Sequence, residues 1–269
     1  MTALTWRLIR DEPRSGARNM ALDHALAACL EGGEAVVRLY GWERPTVSFG
    51  KNEPTRAQYS AAAAAAAGVD AVRRPTGGRA VLHWRELTYA VVAPLDAWGG
   101  LRQAYFAIHG ALAGALEALG VWADAPEGAG LARPSARRPP ERATLPLDAG
   151  PCFQAPAPGE IVVGGRKLVG SAQARLEGVL LQHGSILLED DQPVLARLGG
   201  GRPLHVAPAT LSELVGDVGI DALTDLVAKS LRLEFGGAWT SEGYRPCEFE
   251  AAERLEADRY AQDSWTWRR

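Results

Sequence analysis

Cysteine is scarce in this 269-residue chain, which has only Cys29, Cys152 and Cys247. The three do not follow a metal-ligand spacing. An odd and sparse set excludes the disulfide framework of a small secreted protein and the paired thiols of a zinc site. We therefore expect reduced thiols, a cytoplasmic protein and no bound metal.

Long apolar runs and an excess of positive charge are also missing. No stretch is long enough to span a bilayer, and residues 1–10 lack the layout of a signal peptide. The formal net charge is −3 and the pI about 6.0. These values exclude proteins that bind nucleic acid or membranes through bulk positive charge, so neither is expected as a partner. A local basic cluster facing an acidic partner protein remains compatible with them.

Lysine is the third scarce residue type. The chain has 29 basic side chains, but lysine occurs only at Lys51, Lys167 and Lys229. Arginine takes its place everywhere else. A lysine kept in such a sequence either survives by chance or does something that arginine cannot, such as release a proton.

Apolar periodicity and turn residues divide the chain into strands and helices. Strands are predicted at residues 6–10, 35–40, 46–49, 71–74, 80–83, 87–93, 160–163, 166–169 and 179–188. Helices are predicted at residues 19–30, 57–67, 101–119, 193–198, 209–215, 221–235 and 248–258. Hydrophobic residues make up 47% of the chain, enough for a sizeable core.

The order of these elements predicts the fold class. The strands cluster at 35–93 and 160–188 and do not alternate regularly with helices, which favours an α+β fold with mixed β-sheets flanked by helices. No linker divides the chain, so a single domain is expected over residues 1–269. Residues 124–150, rich in proline, alanine, arginine and glycine, are predicted to form an exposed loop.

The segment 73–83, Arg-Arg-Pro-Thr-Gly-Gly-Arg-Ala-Val-Leu-His, combines arginines with a Gly-Gly turn and a short apolar run. Adjacent glycines let a ligand approach main-chain N–H groups without interference from a Cβ atom. Arginines offer planar donors to carboxyl, phosphate or carbonyl oxygens. An isolated Gly-Gly pair would equally fit a hairpin turn with solvated arginines.

A second glycine-rich segment, at residues 159–188, favours a binding role for the first. Its Gly-Gly pair at 164–165 predicts a tight hairpin turn. Lys167 lies in the strand that follows, and the small residues at 170–172 would permit close approach of a ligand or of another backbone. The alternative is an ordinary hairpin packed against a neighbour.

Together, these segments resemble the catalytic domain of the biotin/lipoate protein ligase superfamily. The resemblance rests on residues 73–83, 165–173 and 182–185, and residues 19–23 and 45–50 match in the same order. It covers roughly residues 6 to 190 as the motif-bearing core, and leaves a helical part at about 191–269.

Within this superfamily the chain is most similar to the cysteine-dependent octanoyltransferases of lipoate biosynthesis. Arg79 follows Gly77 and Gly78, where lipoate ligases usually have a third glycine. Residues 86–89, Glu-Leu-Thr-Tyr, resemble the sequence that follows this motif in the transferases. Pro-Cys-Phe at 151–153 places Cys152 where these transferases carry their acyl group. Trp84-Arg85 departs from the acidic residue that the resemblance suggests after His83.

The resemblance implies transfer of an octanoyl group from acyl carrier protein to a lysine of a lipoyl carrier protein, without a cofactor. The acceptor would be the glycine cleavage H protein or the E2 domain of a 2-oxoacid dehydrogenase. Cys152 would hold the acyl group, and Lys167 would stabilise the thiolate, because a nearby ammonium favours that form. The residues implied in binding the acyl group are Arg74, Thr76, Gly77, Gly78, Arg79, Ala80, His83, Gly170, Ser171, Ala172, His183 and Gly184. For both histidines of this set, a packed and hydrogen-bonded core residue is the alternative.

Three alternative functions remain open. An ATP-dependent lipoate ligase would use the same fold, with Lys167 contacting an acyl-adenylate and Cys152 dispensable, and only this alternative needs ATP. An amidotransferase would move octanoyl between two lipoyl-bearing proteins through Cys152. A non-catalytic module would keep the fold and sense an acyl carrier.

Other reactive residue types lack motif support. Cys152 follows a loop rich in proline and glycine, which favours reactivity over the inert state of a buried thiol. Cys29, on a helix face, and Cys247, near a helix start, are interpreted as structural, and Arg38 as part of a solvated strand face. Three histidines lie in helices or loops without a motif: His24, His109 and His205.

Overall fold

The computed structural model describes residues 4–124, 151–154, 159–199 and 206–268. Its strands are β1 (Thr5–Arg10), β2 (Glu34–Tyr40), β3 (Thr46–Phe49), β4 (Asp70–Arg73), β5 (Val81–His83), β6 (Glu86–Ala93), β7 (Ile161–Val163), β8 (Arg166–Leu176), β9 (Val179–Leu187) and β10 (Ala238–Ser241). Its α-helices are α1 (Gly16–Ala28), α2 (Ala61–Ala66), α3 (Leu101–Glu117), α4 (Val194–Leu198), α5 (Leu211–Val215), α6 (Ile220–Phe235), α7 (Pro246–Leu255) and α8 (Asp263–Thr266). A 3₁₀ turn covers Cys152–Gln154, and a π-helical turn covers Glu256–Tyr260.

The strands form two mixed sheets. The large sheet has the order β10-β1-β2-β6-β9-β8-β7, and the small sheet has the order β4-β3-β5. β1 runs parallel to both β2 and β10, and β3 runs parallel to β4, whereas the other neighbouring strands are antiparallel. The α+β class with mixed sheets flanked by helices is therefore confirmed.

Helices cover both faces of the large sheet. On one face α3 and α6 bury apolar residues such as Ile108 and Val227, and on the other face α1 packs between the sheet and α7. Strand β2 is buried along its whole length because its alternate residues, Val36 and Val37, face the two opposite layers. Helix α1 is buried from Asn19 to Ala27, as expected for a helix enclosed on all sides.

Several element boundaries differ from the sequence prediction. Helix α2 begins only after Ser60, whose side chain accepts a hydrogen bond from the backbone N–H of Ala63 and caps the helix. Strand β8 runs seven residues beyond the predicted end at 169, because β9 pairs with it through small residues of low strand propensity.

The C-terminal part was expected to be helical, but it also contributes a strand. β10 adds to the edge of the large sheet beside β1, and a short helix, α8, was not predicted either. Residues 125–150 of the predicted exposed loop, and His205, lie outside the described residues. Within the described ranges, no helix combines the length and the apolar content needed to cross a bilayer.

Candidate active site

A cleft between the two sheets collects most of the residues singled out in the sequence. Its empty space is about 440 Å³, part of which is open to solvent. The large sheet contributes β2, β6, β8 and β9, and the small sheet contributes β3, β5 and the turn that joins β4 to β5. The predicted residues that line the cleft are Cys152, Arg74, Gly78, His83, Gly170, Ser171, Ala172, His183 and Gly184.

The other predicted residues contact these lining groups from behind. The carbonyl of Ala80 accepts a hydrogen bond from the N–H of Cys152 at 2.9 Å. Arg79 Nη2 lies 3.4 Å from the carbonyl oxygen of Cys152. Thr76 Oγ1 lies 2.6 Å from His183 Nε2, and Lys167 contacts the cysteine sulfur. Gly77 contributes its carbonyl oxygen to Arg74.

Cys152 and Lys167 are in direct contact. Lys167 Nζ lies 3.1 Å from Cys152 Sγ and 2.6 Å from Glu160 Oε1, and the lysine is only 1% exposed. Burial lowers the pKa of Lys167, but the nearby charges of Cys152 and Glu160 outweigh that effect and hold it above its ordinary value. The lysine is therefore an ammonium at neutral pH, placed to stabilise a thiolate.

The backbone around Cys152 is fixed by packing as well as by hydrogen bonds. Phe153 is buried with Val81 and Leu187, and Cys152 packs against this cluster. Gly170 on β8 gives the Phe153 ring its space, because a Cβ at that position would lie 2.8 Å from the ring. The small residue predicted to permit a close approach thus accommodates an aromatic side chain beside the cysteine.

Arg74 shapes the Gly-Gly turn. Its guanidinium donates to the carbonyl oxygens of Gly77 and Arg79 at 2.8 and 2.9 Å, and to the carbonyl of Ser48 at 2.9 Å. Gly78 has a φ of +92°, in the region that favours glycine. A Cβ there would lie 2.7 Å from the Arg74 guanidinium, so a side chain at this position would displace the arginine as well as strain the backbone.

His183 belongs to a buried hydrogen-bond chain. Its Nδ1 lies 2.9 Å from Asp23 Oδ2, so this nitrogen carries the proton, and Nε2 accepts from the hydroxyl of Thr76. Burial lowers the pKa of His183 although Asp23 opposes the change, which leaves the ring neutral near pH 7. This chain of hydrogen bonds connects β9 to Thr76, the residue that precedes the Gly-Gly turn.

Arg38 is not on a solvated strand face, contrary to the sequence interpretation. It is fully buried and pairs with Asp23 and Asp11, both at 2.8 Å. Its guanidinium also lies 3.7 Å from the centre of the Tyr40 ring. Asp11 and Asp23 come from two other segments of the chain, so strand periodicity alone could not reveal the burial of this charge.

His83 forms the centre of a second polar cluster. Its Nδ1 lies 2.8 Å from Glu86 Oε1 and its Nε2 lies 2.7 Å from Ser48 Oγ, while the ring stacks on Trp42 with 4.1 Å between centroids. Ser185 Oγ donates to Glu86 Oε1 at 2.6 Å. Trp42 and His83 thus give this wall of the cleft an aromatic surface, and the hydrogen bonds to Glu86 hold the histidine in place.

Ser171 connects the cleft to a third network. Its Oγ lies 2.7 Å from Tyr89 Oη and 2.9 Å from His109 Nε2. His109 stacks on Tyr105 with 3.9 Å between ring centroids. No sequence motif marks His109, because helix α3, which carries it, reaches Ser171 only through its packing on the large sheet.

Sequence reasoning missed part of the cleft wall: Met20, Tyr40, Trp42, Ser48, Val81, Thr88 and Ser185. Met20, Tyr40 and Val81 occupy apolar positions that are indistinguishable from core positions in sequence. It also missed Glu160, whose one available signal was its place in the hairpin that carries Lys167. The β7–β8 turn sets Val162 opposite Lys167, but a bulge just before that pair changes the register beyond it.

Cys29 contrasts with Cys152. Burial and a hydrogen bond with Cys247 raise the pKa of Cys29 to about 11. Cys29 therefore stays a thiol at neutral pH, and it lies with α1 on the face of the large sheet that α7 covers. Cys152 alone among the three cysteines lines the cleft.

Comparisons with known proteins identify the family of this chain. Residues 15–232 match the model of the lipoyl protein ligase A/B catalytic domain. Octanoyltransferase LipM of Kyrpidia tusciae is 36% identical over 282 aligned positions, covering 98% of this chain and 99% of the relative. LipM of Symbiobacterium thermophilum is 36% identical over 278 positions, covering 98% of each chain.

Solved structures share the fold. A lipoate-protein ligase A bound with ATP superimposes with a TM-score of 0.79 at 21% identity, covering 99% of both chains. A bipartite lipoate protein ligase of Thermoplasma acidophilum, studied with its E2 lipoyl domain, gives a TM-score of 0.74 at 20% identity, covering 98% of this chain and 96% of the other. This chain belongs to the lipoyl protein ligase A/B catalytic-domain family and, within it, to the octanoyltransferases.

Proposed function

We propose that this octanoyltransferase takes its acyl group from octanoyl-acyl carrier protein and passes it to a lysine of a lipoyl carrier protein through a thioester on Cys152. The contact that carries the proposal is that between Lys167 Nζ and Cys152 Sγ, 3.1 Å long at the wall of the cleft. A thiol beside a buried ammonium is equipped to attack a thioester carbonyl.

The cleft suits the acyl part of the substrate. Met20, Trp42 and Val81 provide apolar surface, and burying a methylene contributes about 0.8 kcal/mol. The Gly-Gly turn and the Gly170–Ala172 stretch lie beside Cys152 and would receive the thioester carbonyl. As the carbonyl oxygen becomes an oxyanion, donors held in place by Arg74 would stabilise it.

The acceptor is proposed to be the glycine cleavage H protein or an E2 lipoyl domain, in the cytoplasm. The E2 lipoyl domain studied with the Thermoplasma acidophilum ligase is a partner of this class. No cofactor enters the proposed reaction. ATP is a substrate only in the ligase alternative, in which Cys152 would be dispensable.

The test is a transfer assay with purified carriers. Octanoyl-acyl carrier protein should add an octanoyl mass to Cys152 without ATP, hydroxylamine should remove the adduct, and Cys152→Ala should abolish both adduct and transfer. Full activity of Cys152→Ala, or a requirement for ATP, contradicts the proposal. A second assay with an octanoylated H protein as donor distinguishes an amidotransferase, which would prefer that donor.

A further inference from the structure

Glu160 is a buried carboxylate that contacts the site lysine. Its Oε1 lies 2.6 Å from Lys167 Nζ, and its side chain is 8% exposed. The same Nζ lies 3.1 Å from Cys152 Sγ. The ammonium is thus held between a carboxylate and the sulfur, in an environment where its charge needs a counterion.

We propose that Glu160 is a positioning residue for the transfer step, and that it keeps Lys167 protonated and directed at the sulfur while Cys152 carries the acyl group. This inference rests on the proposed thioester mechanism and deepens it. It assigns a role to a residue that acts through Lys167.

The reason is the charge balance of the two enzyme forms. In the free enzyme, Lys167 contacts both Cys152 Sγ and the carboxylate of Glu160. Once the sulfur is acylated it carries no charge, so Glu160 is the counterion that remains in contact with the ammonium. A buried ammonium without a partner loses its proton, because burial favours the neutral amine.

Lys167 needs its proton in the second half of the reaction. The neutral amine of the acceptor lysine attacks the thioester carbon, the new C–N bond forms, and the C–S bond to Cys152 breaks. The sulfur leaves as a thiolate with the bonding electrons, and the nitrogen releases one proton to solvent. An ammonium 3.1 Å from that sulfur stabilises the leaving thiolate, whereas a neutral amine does so poorly.

The two half-reactions therefore depend differently on Glu160. Removing its negative charge strengthens the remaining thiolate–ammonium pair of the free enzyme, so acylation of Cys152 should be preserved. In the acyl-enzyme the same change removes the carboxylate in contact with Lys167, so discharge should slow. A general loss of folding would instead reduce both steps together.

The experiment separates these steps in a background with Cys29→Ser and Cys247→Ser. Glu160→Gln, which keeps the size of the side chain, is acylated with octanoyl-acyl carrier protein and then mixed with a purified lipoyl domain between about pH 6 and about pH 9. Intact mass measures both steps. Glu213→Gln is the matched control, because Glu213 pairs with the neighbouring Arg166 at 2.6 Å but is exposed.

Acylation of Glu160→Gln should stay within about twofold of the parent. Discharge should fall roughly tenfold or more at the upper end of the pH range, as expected when the pKa of Lys167 falls at least one unit below the assay pH. The ratio of variant to parent discharge rates should decrease further as the pH rises, because Lys167 then loses its proton. Glu160→Asp should recover most of the loss, and Glu213→Gln should behave like the parent.

Equal discharge rates for Glu160→Gln and the parent at every pH would overturn the inference. Equal losses in both steps, without a change in pH dependence, would also overturn it by pointing to a structural role. If the parent itself forms no adduct on Cys152, the proposed function fails, and this inference fails with it. The adduct on the parent thus tells the two failures apart.

Discussion

Lys167 is one of only three lysines in the chain, and it is buried beside Cys152. Arginine has replaced nearly all lysines of the chain, yet the position beside Cys152 keeps a lysine. Release of a proton is one reason to keep a lysine, but the structure favours another. The pKa of Lys167 is held above its ordinary value by the charges around it, against the effect of burial, so the free enzyme uses a compact, permanent ammonium. A planar guanidinium places its charge farther along the side chain and over several atoms.

Lys167→Ala should slow the alkylation of Cys152 by iodoacetamide at pH 7 by about tenfold or more, because the thiolate loses its counterion and Glu160 remains close. Lys167→Arg should retain part of the alkylation rate but transfer octanoyl poorly. Its planar guanidinium cannot reproduce the contact between Lys167 Nζ and Cys152 Sγ. Alkylation is measured by mass spectrometry with Cys29 and Cys247 replaced by serine. Unchanged kinetics in Lys167→Ala would show that the lysine does not tune the thiol.

Two Gly-Gly turns of similar sequence have different surroundings at the scale of the element. The β7–β8 turn at Gly164 and Gly165 is closed by Asp124, whose carboxylate accepts from both N–H groups. A Cβ at Gly165 would meet no atom within 4 Å. The turn at Gly77 and Gly78 instead packs on Gly50, where a Cβ would lie 1.9 Å from the carbonyl oxygen of Gly78. The first turn is structural, and the second is placed by contacts that also shape the cleft.

Gly78→Ala and Gly165→Ala form a matched pair, because φ is +92° at Gly78 and +75° at Gly165. Both substitutions should lower the free energy of unfolding by roughly 1–2 kcal/mol through backbone strain. Only Gly78→Ala should also displace Arg74 and slow acyl-enzyme formation, by about tenfold. Urea unfolding and intact-mass kinetics measure the two effects. Normal acylation in Gly78→Ala would mean that the turn is merely a hairpin.

The whole molecule is held together by buried polar groups that join distant segments as well as by two apolar layers. Arg38 on β2 pairs with Asp23 on α1, and Asp23 in turn contacts His183 on β9. His24, also on α1, lies 3.0 Å from Tyr260 and 3.1 Å from Glu177. These contacts hold the α1 layer against the sheet, and they make the stability of the fold depend on pH.

Stability should decrease as the pH falls from 7 to 5. Burial lowers the pKa of both His24 and His183, against the opposing effect of their carboxylate partners. Below about pH 6.5 the unfolded chain therefore takes up protons that the native state does not, and unfolding becomes more favourable. Each histidine contributes at most about 1.4 kcal/mol per pH unit.

The measurement is urea unfolding at several pH values, with His24→Gln as the variant. It should show a shallower decline than the parent below pH 6.5, because one of the two protons is no longer taken up on unfolding. A free energy of unfolding that stays constant between pH 7 and 5 would contradict the assigned neutral state of these rings.

Local patterns predicted much of the fold. The positions of β1, β3, β6 and α3 follow from periodicity and from the turn residues around them. The Gly164-Gly165 pair predicts the hairpin turn, in which both residues have a positive φ. These features depend on neighbours within a few residues, so the sequence determines them by itself. The resemblance in motif order likewise pointed to Cys152 and Lys167 without coordinates.

Tertiary structure decided which side chains meet. Periodicity states which face of an element is apolar, but not which other element will cover it, so Arg38 was expected in solvent and Trp42 was not expected against His83. β10 is a strand only because β1 offers it an edge to pair with. The contact of Glu160 with Lys167 needs more than the locally encoded hairpin. It also depends on a bulge and on the packing that buries both side chains, which the neighbouring residues alone do not encode.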